Sequence, residues 1–160
     1  MNSHESPKST NRLLIRRLKP REATTLVPLV QEFFRVFGVT LPPPKARLLC
    51  RRAVVRPSTI VLLASRGRTP VGYAFAQEHF SMEYGGPIVI LDDIYVRSSE
   101  RRRGAGRQLI LALQRHASSN QMARIEGEVE VANRPAQSML LGLGFRLKRR
   151  YLFSLPLADR

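Results

Sequence analysis

Arg101-x-x-Gly104-x-Gly106, followed by Arg107, is a spacing that can hold an anion. Two glycines ahead of a helix let the backbone tighten and present consecutive N–H groups, and the positive end of the helix dipole adds to them. A pyrophosphate suits such a turn, with Arg102, Arg103 and Arg107 adding charge-assisted contacts to its oxygens. Just upstream the run Leu91-Asp92-Asp93-Ile94-Tyr95-Val96 reads as a strand that opens on two carboxylates. A carboxylate can attract a cation and accept a proton. Glu78, Glu83, Asp92, Asp93, Glu126, Glu128 and Glu130 all lie between positions 78 and 130, so negative charge gathers locally in a basic chain.

The charge balance itself narrows the partners. Across 160 residues, 27 Lys and Arg stand against 12 Asp and Glu, a formal net charge of +15. Such an excess attracts polyanions: nucleic acid, ribosomes or a phosphorylated cofactor. One cysteine, Cys50, excludes an internal disulfide and a cysteine-based zinc cluster, and the scattered His4, His79 and His116 have no metal-ligand spacing. No metal is therefore expected. No apolar run reaches membrane-spanning length and the first ten residues lack the apolar core of a secretory signal, so the expectation is a cytoplasmic protein with no membrane partner.

Residues 1–10 read as a disordered tail and residues 11–160 as a single domain. Arg12–Leu18 is strand-like and closed by Pro20. From Arg21 to Phe37 apolar residues recur at helical spacing, with Pro28 able to kink or divide the helix and Gly38 as a stop. After Pro42-Pro43-Pro44, Lys45–Val55 fits a second helix with Leu48, Leu49 and Ala53 inward. Thr59–Ala64, Pro70–Phe80 and Pro87–Val96 then read as hairpin-connected antiparallel strands, with turns at Arg66-Gly67 and Gly85-Gly86. Helical spacing returns from Ala105 to about Ser118, where Leu109, Ile110, Leu113 and Ala117 mark the inner face. Ile125, Gly127, Val129 and Val131 alternate with Glu126, Glu128 and Glu130 as in a half-buried strand. Pro135 suits the first turn of a last helix, Gly144 its left-handed cap, and Phe145–Leu157 one or two closing strands. The sum is an α/β fold: a mixed, mostly antiparallel sheet with helices on both faces.

This order of elements, the strand Leu91–Val96, the Arg101-x-x-Gly104-x-Gly106 turn, and Asn133-x-x-Ala136 followed by Leu143-Gly144-Phe145 together resemble the GCN5-related N-acetyltransferase (GNAT) family. The resemblance covers about residues 12–157. It implies transfer of an acetyl group from acetyl-coenzyme A to a primary amine of a small molecule or peptide, directly in a ternary complex. It places the pyrophosphate on the backbone of Arg102, Arg103, Gly104, Ala105, Gly106 and Arg107, with Arg101 at the family's Gln/Arg position. It places the pantetheine arm along Ile94, Tyr95 and Val96, and brings Asn133 and Ala136 to the coenzyme. Asn133 has a second reading as a cap of the helix begun by Pro135.

Asp92 stands where members related to polyamine acetyltransferases carry a glutamate, and is the first candidate base, with Glu83, Glu128 and Glu130 behind it. The chain departs from the family at Leu140, where many members carry a tyrosine proposed as general acid. Either Tyr151, Tyr84 or Ser138 substitutes, or the thiolate leaves without direct protonation. The acceptor expected is a polyamine-like, aminoglycoside-like or peptide amine, its pocket shaped by residues 26–56 and 78–87, in a monomer or homodimer. Two other functions fit the same residues: a basic nucleic-acid or ribosome binding module using RRRGAGR, or a coenzyme A-binding protein with little turnover.

Overall fold

The computed structural model describes residues 12–157. The tail expected over residues 1–10 lies outside the described residues. The chain forms two compact units, Met1–Glu128 and Val129–Arg160.

The first unit is built on five strands in sequential order: β1 (Leu13–Arg17), β2 (Thr59–Arg66), β3 (Thr69–Ser81), β4 (Gly86–Val96) and β5 (Ile125–Gly127). The first four pair antiparallel and β5 runs parallel to β4, which makes the sheet mixed and mostly antiparallel. Parallel pairing needs a crossover, and α3 (Ala105–Ser119) supplies it. In β2 every residue from Thr59 to Ser65 is buried, so the run TIVLLAS lacks alternation because helices cover both of its faces.

On one face a core of Val61, Leu63, Tyr73 and Tyr95 meets Leu26, Leu29 and Cys50 from the segments that follow β1. Phe33 caps it, its ring 6.1 Å from that of Tyr73 and 6.0 Å from that of Tyr95. On the other face α3 lays down Leu109, Ile110, Leu113 and Ala117, the four residues its spacing predicted, all buried. Each large side chain so buried contributes roughly 1.5–3 kcal/mol.

Three expectations for the first 128 residues need correction. The helix predicted over Arg21–Phe37 is two elements, a 3-10 segment at Pro20–Leu26 and α1 (Val27–Val36). Pro28 has no N–H to donate and so sits in the first turn of α1, where none is needed. In α2 (Pro43–Val55) the buried residues are Ala46 and Cys50, while Leu48 is 47% exposed and Leu49 36%. Small side chains are what let this helix approach the sheet closely. The strand predicted over Ile125–Val131 ends at Gly127, because its partner β4 bulges one residue beyond the last pair, Leu91–Gly127.

In the second unit α4 (Arg134–Leu141) begins at Asn133, whose Oδ1 accepts from the Ala136 N–H at 3.3 Å, with Pro135 in the first turn. Past Leu141 the chain is closed off by the left-handed Gly144 expected there, φ +88°, where the Phe145 N–H bonds the Leu140 carbonyl and the Gly144 N–H that of Leu141, a Schellman motif. The closing strands expected over Phe145–Leu157 do not form. These described residues carry no ladder, and Pro156 together with the charges of Arg146, Lys148, Arg149 and Arg150 disfavours one.

Candidate functional site

The site begins with an irregularity in β4. Phe75 of β3 pairs with Asp93 and Ala76 with Leu91, so Asp92 is the extra residue of a β-bulge. The bulge breaks the alternation of faces. Leu91 and Ile94, opposite Ala76 and Ala74, share one face, while Asp93 and Tyr95, opposite Phe75 and Tyr73, share the other. Asp92 is exposed and accepts a hydrogen bond from Gln77 Nε2 at 2.6 Å.

Asp93 faces a cavity of about 400 Å³ between the sheet, α1 and α2. Its walls are mostly apolar, with Leu26, Val30, Phe34, Leu49 and Phe75 prominent, and Arg52 and Arg56 of the α2 terminus also reach it. Segment 26–56, expected to shape an acceptor pocket, does line this cavity; segment 78–87 contributes nothing to it. Burial pushes the Asp93 carboxyl up to about 6, with the charge of Asp92 acting in the same direction against a hydrogen bond from Tyr73. A carboxyl poised this close to neutrality, inside a cavity, is suited to taking a proton from a bound amine. Cys50 also lines the cavity, but burial raises its thiol to about 11, which makes it a packing residue.

Beside the cavity β4 offers hydrogen-bonding backbone. The Arg97 N–H bonds the Val71 carbonyl, so in an antiparallel ladder Tyr95 also points toward β3, and Ile94 and Val96 point to the opposite edge. The β5 ladder has already ended at Leu91. An extended arm can therefore pair with Ile94 and Val96, whereas the backbone of Tyr95 faces β3. Gly72 keeps that pairing tight: a Cβ there would lie 2.5 Å from the Tyr95 carbonyl oxygen. The Tyr95 hydroxyl reaches Glu32 Oε2 at 3.2 Å, and Arg97 pairs with the same carboxylate at 3.0 Å, tying α1 to this end of β4.

The basic turn comes directly after β4. Arg102 has φ +57° and Gly104 φ +86°, an alternation of backbone hand that turns successive N–H groups to one side as an anion-binding nest. A Cβ on Gly104 would point into open space, with nothing within 4 Å. Ala105, Gly106 and Arg107 form the first turn of α3, whose N–H groups lack intrahelical partners. The residues present thus fit a bound pyrophosphate.

Two residues the sequence did not single out hold the turn. Glu100 accepts from Arg66 Nε at 2.7 Å and from Arg103 Nη1 at 2.8 Å, and Arg66 Nη2 donates to the Arg103 carbonyl at 3.2 Å. Arg101 Nε donates to the Val96 carbonyl at 3.1 Å. Arg102 and Arg107 make no side-chain hydrogen bond or ion pair among the described residues. The signal for Glu100 was legible: a lone carboxylate directly before three arginines.

Other expected site residues belong to other segments. Glu83 and Tyr84 stand in the β3–β4 turn, about 23 Å along β4 from Asp93 at 3.3 Å per residue. There the Tyr84 hydroxyl donates to Glu126 Oε1 at 2.9 Å and receives Arg124 Nη1 at 3.1 Å. Asn133, Ala136, Ser138, Leu140 and Tyr151 belong to the second unit. Asn133 caps α4, and Tyr151 is 91% exposed.

Comparison with known proteins identifies the family. A family model described as Acetyltransferase (GNAT) family matches residues 26–145. An uncharacterised N-acetyltransferase of Bacillus subtilis (strain 168) is 24% identical over 125 residues, 78% of this chain and 84% of that relative. An aminoglycoside N(6')-acetyltransferase type 1 of Salmonella typhimurium is 30% identical over 88 residues, 52% of this chain and 61% of the relative. The structure of an aminoglycoside N-acetyltransferase in complex with CoA superposes with a TM-score of 0.81 at 20% identity, covering 96% of this chain and 100% of the other. At that identity the likeness is one of fold.

Proposed function

The chain belongs to the GNAT acetyltransferase family, and from that premise we propose that it transfers an acetyl group from acetyl-coenzyme A to a primary amine held in the cavity beside Asp93, directly within a ternary complex. The observation that carries the reading is the order of three features on one continuous segment: a carboxyl in a cavity, an open strand edge and an anion nest.

When bound, acetyl-coenzyme A supplies an acetyl thioester whose carbonyl carbon accepts nitrogen and whose sulfur departs. The nest at Arg102–Gly104 and the first turn of α3 hold the pyrophosphate, with Arg101, Arg102, Arg103 and Arg107 around it. The backbone of Ile94 and Val96 aligns the pantetheine arm. Asn133 and Ala136 add to the coenzyme site on the family pattern. Asp93 takes the proton of the ammonium group, because only the neutral amine has a lone pair to give, and Asp92 assists by opposing the charge of its neighbour. Asp93 takes the role that the sequence pattern assigned to Asp92. Leucine at 140 has no proton to donate, so the departing thiolate, a tolerable leaving group, draws its proton from water.

The test is thermal unfolding with acetyl-coenzyme A. Wild-type protein is expected to be stabilised, and Gly104→Glu, which fills the nest and adds like charge, is expected to lose that stabilisation. Equal stabilisation of both would overturn the placement of the coenzyme.

A further inference from the structure

The cavity beside Asp93 has the wrong charge for a polycation. Its charged lining side chains are Arg52 and Arg56 against the one carboxyl of Asp93. The two arginines stand one helical turn apart at the C-terminal end of α2. Thr59 fixes that end by donating its hydroxyl to the carbonyls of Ala53 and Arg56. Neither guanidinium makes a hydrogen bond or ion pair among the described residues. Like charges at this spacing repel one another, and an anion set between them removes the repulsion. The planar fork of each guanidinium matches a carboxylate in particular.

Apart from Gln77 and Cys50 the rest of the wall is aliphatic or aromatic, with Leu26, Val30, Phe34 and Phe75 prominent. An acceptor with several ammonium groups would bury charge here that one carboxyl cannot compensate, in a chain whose net charge of +15 already opposes it. We infer that the acceptor is an amphiphilic amine: an apolar body bearing one carboxylate, with the amine at Asp93 and the acid group between Arg52 and Arg56. The inference rests on the cavity being the amine pocket. It separates this chain from the aminoglycoside specificity in the names of its relatives.

Matched pairs of amines with and without an acid group test it: phenethylamine against phenylalanine, and octylamine against 8-aminooctanoate, with neamine as the polycation. Acetylation is followed by thiol release, and binding by thermal shift without acetyl-coenzyme A. In wild-type protein the carboxylate-bearing member of at least one pair is expected to exceed its partner by about tenfold in kcat/KM, the worth of a charged hydrogen bond, and to raise Tm more. In Arg52→Met/Arg56→Met the ratio falls to about twofold or less, and Arg51→Met, which does not line the cavity, preserves it. Equal rates within both pairs, or neamine as the best substrate, overturn the inference while leaving acetyl transfer intact. Selective stabilisation by the acids without acetylation of any amine supports the carboxylate subsite at Arg52 and Arg56 and instead overturns acetyl transfer. No preference in either readout overturns it.

Discussion

Tyr73 donates its hydroxyl to Oδ2 of Asp93 at 3.3 Å, from β3 to the first residue beyond the β4 bulge. Burial raises the Tyr73 phenol above its ordinary value, so it stays a donor across the working pH range. One carboxylate oxygen is thereby engaged and the other is left to the cavity. The Asp93 carboxyl therefore has a fixed orientation.

A carboxyl titrating at about 6 stops accepting protons below that pH. With one amine acceptor, kcat/KM of wild-type protein divided by that of Asp93→Asn is expected to be flat above pH 7 and to fall about tenfold per unit below pH 6. The variant itself loses roughly 10²–10⁴-fold at pH 7.5, the usual worth of a positioned base. A ratio constant from pH 5 to 8 would assign the base elsewhere, with Asp92→Asn as the comparison.

The same group costs stability. The Asp93 carboxyl is raised from 3.8 to about 6, so between those values the native state holds a proton that the unfolded chain does not. Above pH 6 both states are ionised and the whole cost is present; it shrinks as pH falls and vanishes below about pH 4. At about 1.4 kcal/mol per unit, Asp93→Asn is expected to gain up to about 3 kcal/mol at pH 7.5 and almost nothing at pH 4. Urea unfolding at the two pH values checks this. A gain that is the same at both would reject burial of the charge as its cause.

Glu100 holds Arg66 and Arg103 together, its side chain only 16% exposed. Glu100→Gln leaves two guanidiniums sharing a neutral amide, so the turn loosens and stability drops by roughly 1–3 kcal/mol. The KM for acetyl-coenzyme A is expected to rise about tenfold while the acceptor KM stays within about twofold. A parallel rise in both would place Glu100 outside the coenzyme site.

What was legible in the chain were regular periods. Leu109, Ile110, Leu113 and Ala117 repeat every three to four residues, and all four are buried where the spacing put them. The left-handed cap at Gly144 was readable from one residue type. The departures occur where a regular period breaks. Asp92 and Asp93 are identical in kind, and nothing local shows that Asp92 is the strand's surplus residue, which decides which one faces the cavity. In α2, hydrophobicity pointed inward at Leu48 and Leu49, but close approach to the sheet selected Ala46 and Cys50, and Leu49 borders a cavity instead. Arg52 and Arg56 gain meaning only from that cavity, a tertiary feature with no motif of its own.

The surplus residue in β4 also decides how the strand tolerates changes in length. Leu91 pairs with Ala76 and Asp93 with the adjacent Phe75, so excising Asp92 joins two residues whose partners are already neighbours. Every residue downstream keeps its frame. Excising one residue between Ile94 and Val96 instead inverts the frame of the rest of the strand, exchanging dry-core positions for chemical ones. Asp92 is therefore the position in this strand where the chain can be shortened without scrambling the site, and such a deletion separates the bend from the second carboxylate.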